Sequence, residues 1–264
     1  MRILIAVDSN FKIQDITKKL MHFLELYNPG TLYLDVFHSY EPPIIKGINM
    51  PNTKAEIVED ERFAQINFMR KLRQSIETQI DERSQHRYIV NTYLEEGNFF
   101  DKIENQLTSK KYDLLVLEPT QRDSFEKFFR KNKVKHLIEK RHEPILLLPK
   151  TTDDQKKSLR IVGLIKNLDS LEYIINLPVF KLARPEKKML LHFGEHITNH
   201  PEIDTILTKE GLTTDETFIE YVKNNQNKHL YIIDHQKRNG VVDFFKRNYT
   251  QNLLASGDMN LIVS

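Results

Sequence analysis

Two carboxylates stand directly after short apolar runs of the chain and are the first candidates for chemistry. Asp8 follows residues 3–7, and Glu118 follows residues 114–117. Proteins with parallel sheets bind ligands at the carboxyl ends of their strands, so both acids are expected at such an edge. Two acids near one another more often bind a base or an amine than perform catalysis. We therefore interpret Asp8 and Glu118 as candidate ligand-binding groups.

No other pattern in the chain indicates catalysis or a metal site. The sequence contains neither Gly-x-Ser-x-Gly nor His-Glu-x-x-His. His192, His196 and His200 are four residues apart, but Gly194 and Pro201 interrupt the run, so a shared helical face of metal ligands is not expected. We expect no catalytic residue, no bound metal and no enzymatic activity.

The composition excludes several classes of protein. The 264 residues include 39 basic and 37 acidic side chains, and this balance gives a formal net charge of +2 that favours neither nucleic acid nor anionic lipid. Basic residues between 127 and 135 are interpreted as a solvated helix face. Cysteine is absent, which excludes disulfides and thiolate chemistry. No run approaches the roughly 18 apolar residues of a membrane helix. We expect a soluble, cytoplasmic protein without nucleic-acid or membrane partners.

Strand and helix patterns alternate through the first 150 residues. Apolar or alternating runs predict strands at residues 2–7, 31–38, 88–94, 114–117 and 145–148. A Pro-rich loop is predicted over residues 40–53, followed by a long charged helix over 55–84. The residues predicted on its buried face are Ile57, Ala64, Phe68, Leu72, Ile76 and Ile80. Strands alternating with helices imply right-handed crossovers, a parallel sheet and helices on both of its faces.

The second part of the chain repeats the first. The pattern of strand, acid, basic Phe-Phe helix and strand recurs without a gap at one offset (244 − 128 = 116, 261 − 145 = 116), and the opening strand recurs at a larger one (160 − 2 = 158). We predict two α/β domains at residues 1–150 and 158–264, joined by a polar linker. The second domain is predicted to lack the long helix and a clear third strand.

The closing strands of the two predicted domains are apolar on nearly every residue. The residues expected at the domain interface are Ile145, Leu147, Leu261 and Val263. Because exposed apolar edge strands promote aggregation, we expect each strand to cover the other in an antiparallel, pseudo-two-fold contact. The chain is then an intramolecular pseudo-dimer, and assembly into a homo-oligomer stays open.

The order of these motifs resembles the universal stress protein family in its tandem form. The resemblance rests on Ile3-Leu4-Ile5-Ala6-Val7-Asp8, Glu96-Gly97, Tyr112-Asp113-Leu114-Leu115-Val116-Leu117 and Pro144-Ile145-Leu146-Leu147-Leu148. It covers nearly all of residues 1–150 and, more weakly, 158–264. It implies two open, parallel-sheet sandwich domains of the adenine-nucleotide alpha-hydrolase type, the second reduced.

The resemblance also implies where a nucleotide would bind and why ATP is not expected. Nucleotide-binding members carry Gly-x2-Gly-x9-Gly-Ser/Thr after the fourth strand, where glycines let the backbone wrap the phosphates. The matching positions here are Glu118, Gln121, Lys131 and Asn132, without a glycine. Asp8 does match the acid of the family that helps to hold adenosine. We therefore expect no ATP and no other cofactor.

Three functions are compatible with these features. The first is a non-enzymatic stress-response protein that acts through an unknown protein partner or a small ligand. The second is a sensor of a nucleotide or other small ligand, with Asp8, Ser9, Glu118, Gln121, Lys131 and Asn132 as candidate binding residues. The third is a weak nucleotide hydrolase.

Overall fold

The computed structural model describes thirteen stretches of the chain that together contain most of the predicted strands. They are residues 1–7, 13–27, 30–43, 51–83, 87–117, 144–147, 159–165, 168–192, 207–208, 220–221, 224–225 and 228–233, with 260–263 at the end. The polar linker predicted between the domains lies outside them.

Five strands and three helices of the first half are described. In chain order they are β1 (Arg2–Val7), α1 (Ile13–Leu24), β2 (Thr31–Tyr40), α2 (Pro51–Arg83), β3 (Arg87–Glu96), α3 (Phe99–Ser109), β4 (Leu114–Leu117) and β5 (Ile145–Leu147). All five strands were predicted from the apolar runs, with ends that shift by one or two residues. The helix predicted between residues 124 and 140 lies outside the described residues.

The second half supplies five more strands. In chain order its elements are β6 (Arg160–Ile165), α4 (Leu168–Asn176), α5 (Pro178–Lys181), a 3-10 turn (Pro185–Lys187), β7 (Lys188–His192), β8 (Leu207–Thr208), β9 (His229–Ile233) and β10 (Asn260–Val263). The sequence predicted no clear third strand here, and that was wrong. The strand β8 pairs with β7 where a third strand would lie, but β8 is only two residues long. A strand so short leaves no alternation for a sequence pattern to detect.

All ten strands form one sheet in the order β3-β2-β1-β4-β5-β10-β9-β6-β7-β8. Pairing is parallel within each half, and the single antiparallel pair among these strands joins β5 to β10. Parallel neighbours connected through helices are the arrangement that the alternating pattern predicted. The α/β fold class is confirmed.

The register of the second half follows that of the first at the two sequence offsets. Ile3 lies beside Leu114, and Ile161 lies beside Leu230 (161 − 3 = 158, 230 − 114 = 116). The closing strands behave alike, since Val116 pairs with Leu146 as Ile232 pairs with Ile262. The sequence alignment of the halves therefore places the same residues side by side in the sheet.

One hydrophobic core runs through both halves. It includes one face of β1 (Ile3, Ile5, Val7), the apolar side of α1, and the buried residues of α4 and α5, such as Leu171 and Phe180. Helix α1 ends where the halves also meet outside the sheet: Tyr27 forms a β-bridge with Ala183, and Arg184 Nε donates to Tyr27 O at 2.8 Å. This second contact between the halves was not predicted.

Helix α2 packs on the core along most of the predicted face, but the first part of that face is exposed. Phe68, Leu72, Ile76 and Ile80 do pack toward the sheet, but Ile57 and Ala64 are exposed. The remaining buried positions are Gln65 and Met69. The reason is length: a helix of 33 residues spans about 50 Å, whereas the ten-residue β3 spans about 33 Å. The first turns of α2, with Ile57, therefore extend past the strands. Ala64 is exposed although Gln65 beside it is buried, because Ala64 lies at the side of the packed face.

The start of α2 also corrects the predicted loop. Pro51 is the first helical residue, although residues 51–53 were placed in the Pro-rich segment. Proline is well suited to the first helical position, because its missing N–H has no partner there in any case. None of the described helices is long and apolar enough to cross a membrane.

Candidate functional site

The strands that lead into the predicted site are neighbours in the sheet. Strand β1 pairs in parallel with β4, with Ala6 beside Leu117. The chain therefore leaves both strands at the same edge, as the position of Asp8 and Glu118 in the sequence required. The six candidate residues themselves (Asp8, Ser9, Glu118, Gln121, Lys131 and Asn132) lie outside the described residues. Their role stays a prediction.

A buried histidine connects this edge to helix α2. His38, near the end of β2, lies beside Val7 and places Nδ1 2.8 Å from the Val7 carbonyl oxygen. A carbonyl can only accept, so Nδ1 is the donor. The other ring nitrogen lies 2.8 Å from Gln65 Oε1, and Gln65 Nε2 donates to Glu61 at 2.5 Å. This chain of contacts holds the residue before Asp8 against the long helix.

The neighbouring residue of β2 leaves a polar atom unused. Ser39 is 7% exposed, and its buried Oγ has no hydrogen-bond partner among the described residues. A buried hydroxyl without a hydrogen-bond partner lowers the stability of the folded state, so a ligand or water that bonds to it would be stabilising. Sequence patterns gave no signal for Ser39, because a serine in a strand usually faces solvent.

Ser39 shares its face of β2 with an aromatic group at the start of α3. Phe37 is two residues away on the same face, and its ring centroid lies 6.4 Å from that of Phe99. The turn before α3 is fixed by Gly97, with φ of 129°, and by Asn98, whose side chain accepts from the N–H groups of Phe100 and Asp101. The described rim of the site is therefore a serine hydroxyl beside apolar rings.

A second polar group lies deeper on the α3 face of the sheet. Asp35 is fully buried in the middle of β2, where it accepts from Asn91 Nδ2 at 2.8 Å and from the Tyr112 hydroxyl at 2.9 Å. Lys110 Nζ lies 3.7 Å from the same carboxylate and donates to Tyr93. Asp35 therefore has partners of both kinds, hydrogen-bonding and cationic.

The surroundings of Tyr112 disfavour its ionisation. Burial raises the pKa of the Tyr112 hydroxyl, and the hydrogen bond to Asp35 raises that pKa further. Gln106 donates to the same hydroxyl oxygen at 3.1 Å. This network ties α3 and the turn after it to β2 and β3. It is satisfied within itself, so we interpret it as structural support for the edge rather than as a binding site.

The equivalent place in the second half is occupied by apolar and aromatic side chains. Met189 lies beside Val162 in β6 as Asp35 lies beside Leu4 in β1, and the Tyr221 hydroxyl lies 3.9 Å from the Met189 sulfur. Burial raises the pKa of Tyr231, which lies in β9 beside His229. The buried carboxylate of the first half has no counterpart at this position.

The strand pairing expected between the two halves is present. Strands β5 and β10 run antiparallel, with Leu261 beside Leu147 and Val263 beside Ile145. The central pair, Leu146 and Ile262, is buried to 1% and 0% exposure. Whether residues 1–150 and 158–264 are separately folded domains stays a prediction.

Only one of the three histidines considered as metal ligands lies in the described part of the chain. His192 ends β7, whereas His196 and His200 lie outside the described residues. Within the described ranges, no group of three or more histidine or acidic side chains is arranged to hold a metal ion.

Comparisons with known proteins identify the fold. No family model and no curated protein matches the sequence. A universal stress protein from Archaeoglobus fulgidus DSM 4304 aligns over 99% of this chain and 95% of its own, with 10% identity and a TM-score of 0.55. A protein from Pseudomonas aeruginosa UCBPP-PA14 assigned to the universal stress proteins aligns over 99% and 92%, with 13% identity and a TM-score of 0.50.

A protein of unknown function from Pseudomonas aeruginosa PAO1 aligns over 99% of this chain and 91% of its own, again with 13% identity and a TM-score of 0.50. At such identities the likeness concerns the fold and not the activity. Both the strand order described above and these alignments lead to one conclusion: the chain has the universal stress protein fold.

Proposed function

We propose that this chain is a tandem universal stress protein that acts without catalysis, by binding a protein partner or a small ligand during a cytoplasmic stress response. The observation that supports it best is the sheet. Its two halves have the same strand order, the same register and mutually covering closing strands. Two copies of one fold in a single chain suit a protein that binds a partner or a ligand rather than one that catalyses a reaction.

The loop after β4 argues against ATP. Glu118, Gln121 and Lys131 stand where nucleotide-binding relatives need glycine, and their side chains would fill the space of the phosphates. Glu118 would also repel a triphosphate, and Pro119 removes one backbone N–H from the cradle. The protein is therefore proposed to bind no nucleotide cofactor through this loop.

Calorimetry with ATP and magnesium on the full chain tests this proposal. We expect no binding tighter than about 10 μM, which corresponds to roughly −7 kcal/mol. A thermal-shift series with ADP, AMP, cyclic nucleotides and polyphosphate extends the test, because a ligand that binds only the folded state raises the melting temperature. Tight ATP binding would contradict the proposal, and ATP turnover would favour the hydrolase.

The second candidate is a small-ligand sensor at the edge near Asp8, and Ser39 is the observation that favours it. A ligand there would satisfy the buried Oγ and would displace no existing hydrogen bond of Ser39 to a described residue. The His38 contact to Val7 holds the adjacent strand end in place.

Substitution of Ser39 separates the two candidates. Ser39→Ala removes an unused hydroxyl, so the melting temperature without ligand is expected to stay within about 2 °C of the parent or to rise. For any compound found in the thermal-shift series, the same variant is expected to lose most of the ligand-induced shift. Ser109→Ala is the matched control, because Ser109 donates to Gln106 O at the far end of α3. An unchanged ligand shift in Ser39→Ala would remove the sensor candidate at this site.

A further inference from the structure

Helix α2 presents a regular row of side chains to solvent. The row consists of Glu56, Glu59, Phe63, Ile66, Arg70 and Arg73, which are separated alternately by three and four residues. This spacing places them along one face of a helix, as in a coiled-coil seam. All six are exposed, including Phe63 at 57% and Ile66 at 43%. The core-facing residues Gln65, Met69 and Leu72 lie on the other side.

The charges along this row are separated by sign. The two glutamates precede the apolar pair, and the two arginines follow it. The point midway between Phe63 and Ile66 is equally far from Glu59 and Arg70, and equally far from Glu56 and Arg73. If a second copy of α2 lies antiparallel about that point, each glutamate faces an arginine of the other copy. Phe63 then faces Ile66 of the second copy, and the reverse contact follows by symmetry.

The first half of the row lies on the least buried part of α2, where Val58 and Glu61 are half-buried. Between residues 55 and 64 no residue is buried, and the first buried one is Gln65. The length of α2 relative to β3 accounts for this exposure. A helix exposed in this way can approach a second helix closely without a collision between the two sheets.

The arginines of the row keep donors for a partner. Arg70 Nη2 donates to Asn67 at 3.0 Å, and Arg73 Nε pairs with Glu77 at 2.8 Å. A guanidinium has five N–H donors, so each arginine retains several after these contacts. Solvent-exposed pairs contribute little individually. The two-fold arrangement supplies four such pairs around a buried apolar centre, and a weak contact is the expected result.

We propose that the exposed row of α2 is a self-association surface that binds a second copy of this chain antiparallel, with Phe63 and Ile66 at its centre. The assembly is a closed dimer formed through helices, and it leaves the β5–β10 contact within each chain unchanged. It goes beyond the proposed function, since it holds whether or not either half binds a ligand.

Charge reversal on the full chain tests the proposed register. Sedimentation velocity over roughly 1 to 200 μM is expected to show a monomer–dimer equilibrium that weakens with salt. Glu59→Arg and Arg70→Glu are each expected to raise the dissociation constant by about tenfold, because symmetry counts every repulsive pair twice. The double variant Glu59→Arg/Arg70→Glu is expected to return it to within about threefold of the parent.

Two controls make the result decisive. Circular dichroism is expected to be unchanged in all variants, since the substituted side chains are exposed. Ile89→Lys on the edge strand β3, where Ile89 is 36% exposed, is expected to leave dimerisation unchanged. A parent chain that stays monomeric throughout the range overturns the proposal. So does a failure of the double variant to restore association, or loss of the dimer in Ile89→Lys.

Discussion

The two halves of the sheet have the same strand order and register, but their interiors differ. At equivalent register positions, the first half has Asp35 and Ile5 and the second has Met189 and Gly163. The outermost strand is ten residues long in the first half and two in the second. Strand pairing therefore persists while the side chains above and below it change.

This difference indicates where function resides. Backbone pairing and apolar burial suffice to keep a parallel sheet, and cores accept many apolar combinations of similar volume. Buried polar groups are retained only at a cost, because each one needs a partner. The first half carries the His38 chain and Ser39, whose Oγ has no partner among the described residues, and the Asp35 network supports the same strand. We therefore propose the ligand-binding role for that half.

The largest expected effect comes from breaking the contact that joins the halves. Ile262 is fully buried beside Leu146 in the antiparallel pair, so Ile262→Asp places an unpaired carboxylate in the core. An uncompensated buried charge costs roughly 3–5 kcal/mol, a large part of a typical domain's stability. We expect the halves to separate or the protein to become insoluble, as measured by size-exclusion chromatography and urea unfolding.

The matched control for this change is Ile89→Asp, the same substitution on the exposed outer strand β3. It is expected to change the free energy of unfolding by less than about 1 kcal/mol. If Ile262→Asp stays as compact, soluble and heat-stable as the parent, the strand pair does not hold the halves together.

The next largest effect is expected when Asp35 of the first half is replaced by methionine, the residue at the equivalent position of the second half. Asp35→Met leaves Asn91 and the Tyr112 hydroxyl without their acceptor. A buried group without a partner costs about 1–3 kcal/mol, and Tyr112 is buried whereas Asn91 is half-buried, so we expect a loss of roughly 2–4 kcal/mol in urea unfolding. The reverse change, Met189→Asp, is expected to destabilise as well, since no described network exists there. A loss below about 0.5 kcal/mol in Asp35→Met would show that the network does not stabilise the first half.

A smaller effect is expected from changing the size of one equivalent core residue in each half. A Cβ on Gly163 would lie 2.7 Å from Ile174 Cγ2 and 2.9 Å from Leu190 Cδ2. Gly163→Ala therefore crowds α4 and β7 and is expected to cost about 1–3 kcal/mol. At the equivalent position of the first half, Ile5→Val is expected to cost about 0.5–1.5 kcal/mol by leaving a gap. Both are measured by thermal unfolding, and an unchanged melting temperature in Gly163→Ala would contradict the close packing.

The smallest expected effect is on the pH dependence of stability, and it appears only at alkaline pH. Burial and then the Asp35 hydrogen bond raise the pKa of Tyr112 above its ordinary value of 10.0. A group with a raised folded pKa binds its proton more tightly when folded, so its contribution to stability is full below pH 10 and is lost as pH rises through the folded value. We expect the free energy of unfolding to fall with pH less steeply in Tyr112→Phe than in the parent above about pH 10.

Burial also raises the pKa of Tyr231, which extends this test to the second half. Tyr231→Phe is expected to make the same fall with pH less steep, and the Asp35→Met background should reduce only the contribution of Tyr112. Unfolding by urea from pH 8 to about 11 measures both. Equal slopes in the parent and in Tyr112→Phe would contradict the buried environment of that hydroxyl.

The strands were predictable from the sequence because their apolar runs are continuous. Residues 3–7, 114–117 and 145–146 are covered on both faces, so every side chain in them carries the same signal. The offset between the halves was visible for the same reason, since the matching strands kept their apolar character. The antiparallel pairing followed from two apolar strands that each needed cover.

The described rim of the site was not predictable in this way. Asp35 and Ser39 are polar residues in an alternating strand, and such residues usually face water. They are buried here because α3 covers the second face of β2, and no local pattern reports that cover. Ile57 was wrongly predicted as buried for the opposite reason: its helical spacing is right, but the sheet ends before it reaches this residue. In both cases burial depends on how far the neighbouring helix or sheet extends, which the local sequence does not report.

The central strand pair also governs the timing of folding during synthesis. In the described sheet the free edge of β5 is covered by β10, and 116 residues separate Leu146 from Ile262 (262 − 146 = 116). At about 5–20 residues per second, β5 waits roughly 6 to 23 seconds for its partner after it is made. During that interval the first half has an apolar, hydrogen-bonding edge open to other nascent chains. The strand that completes the sheet is thus the one whose delay sets the period of greatest aggregation risk.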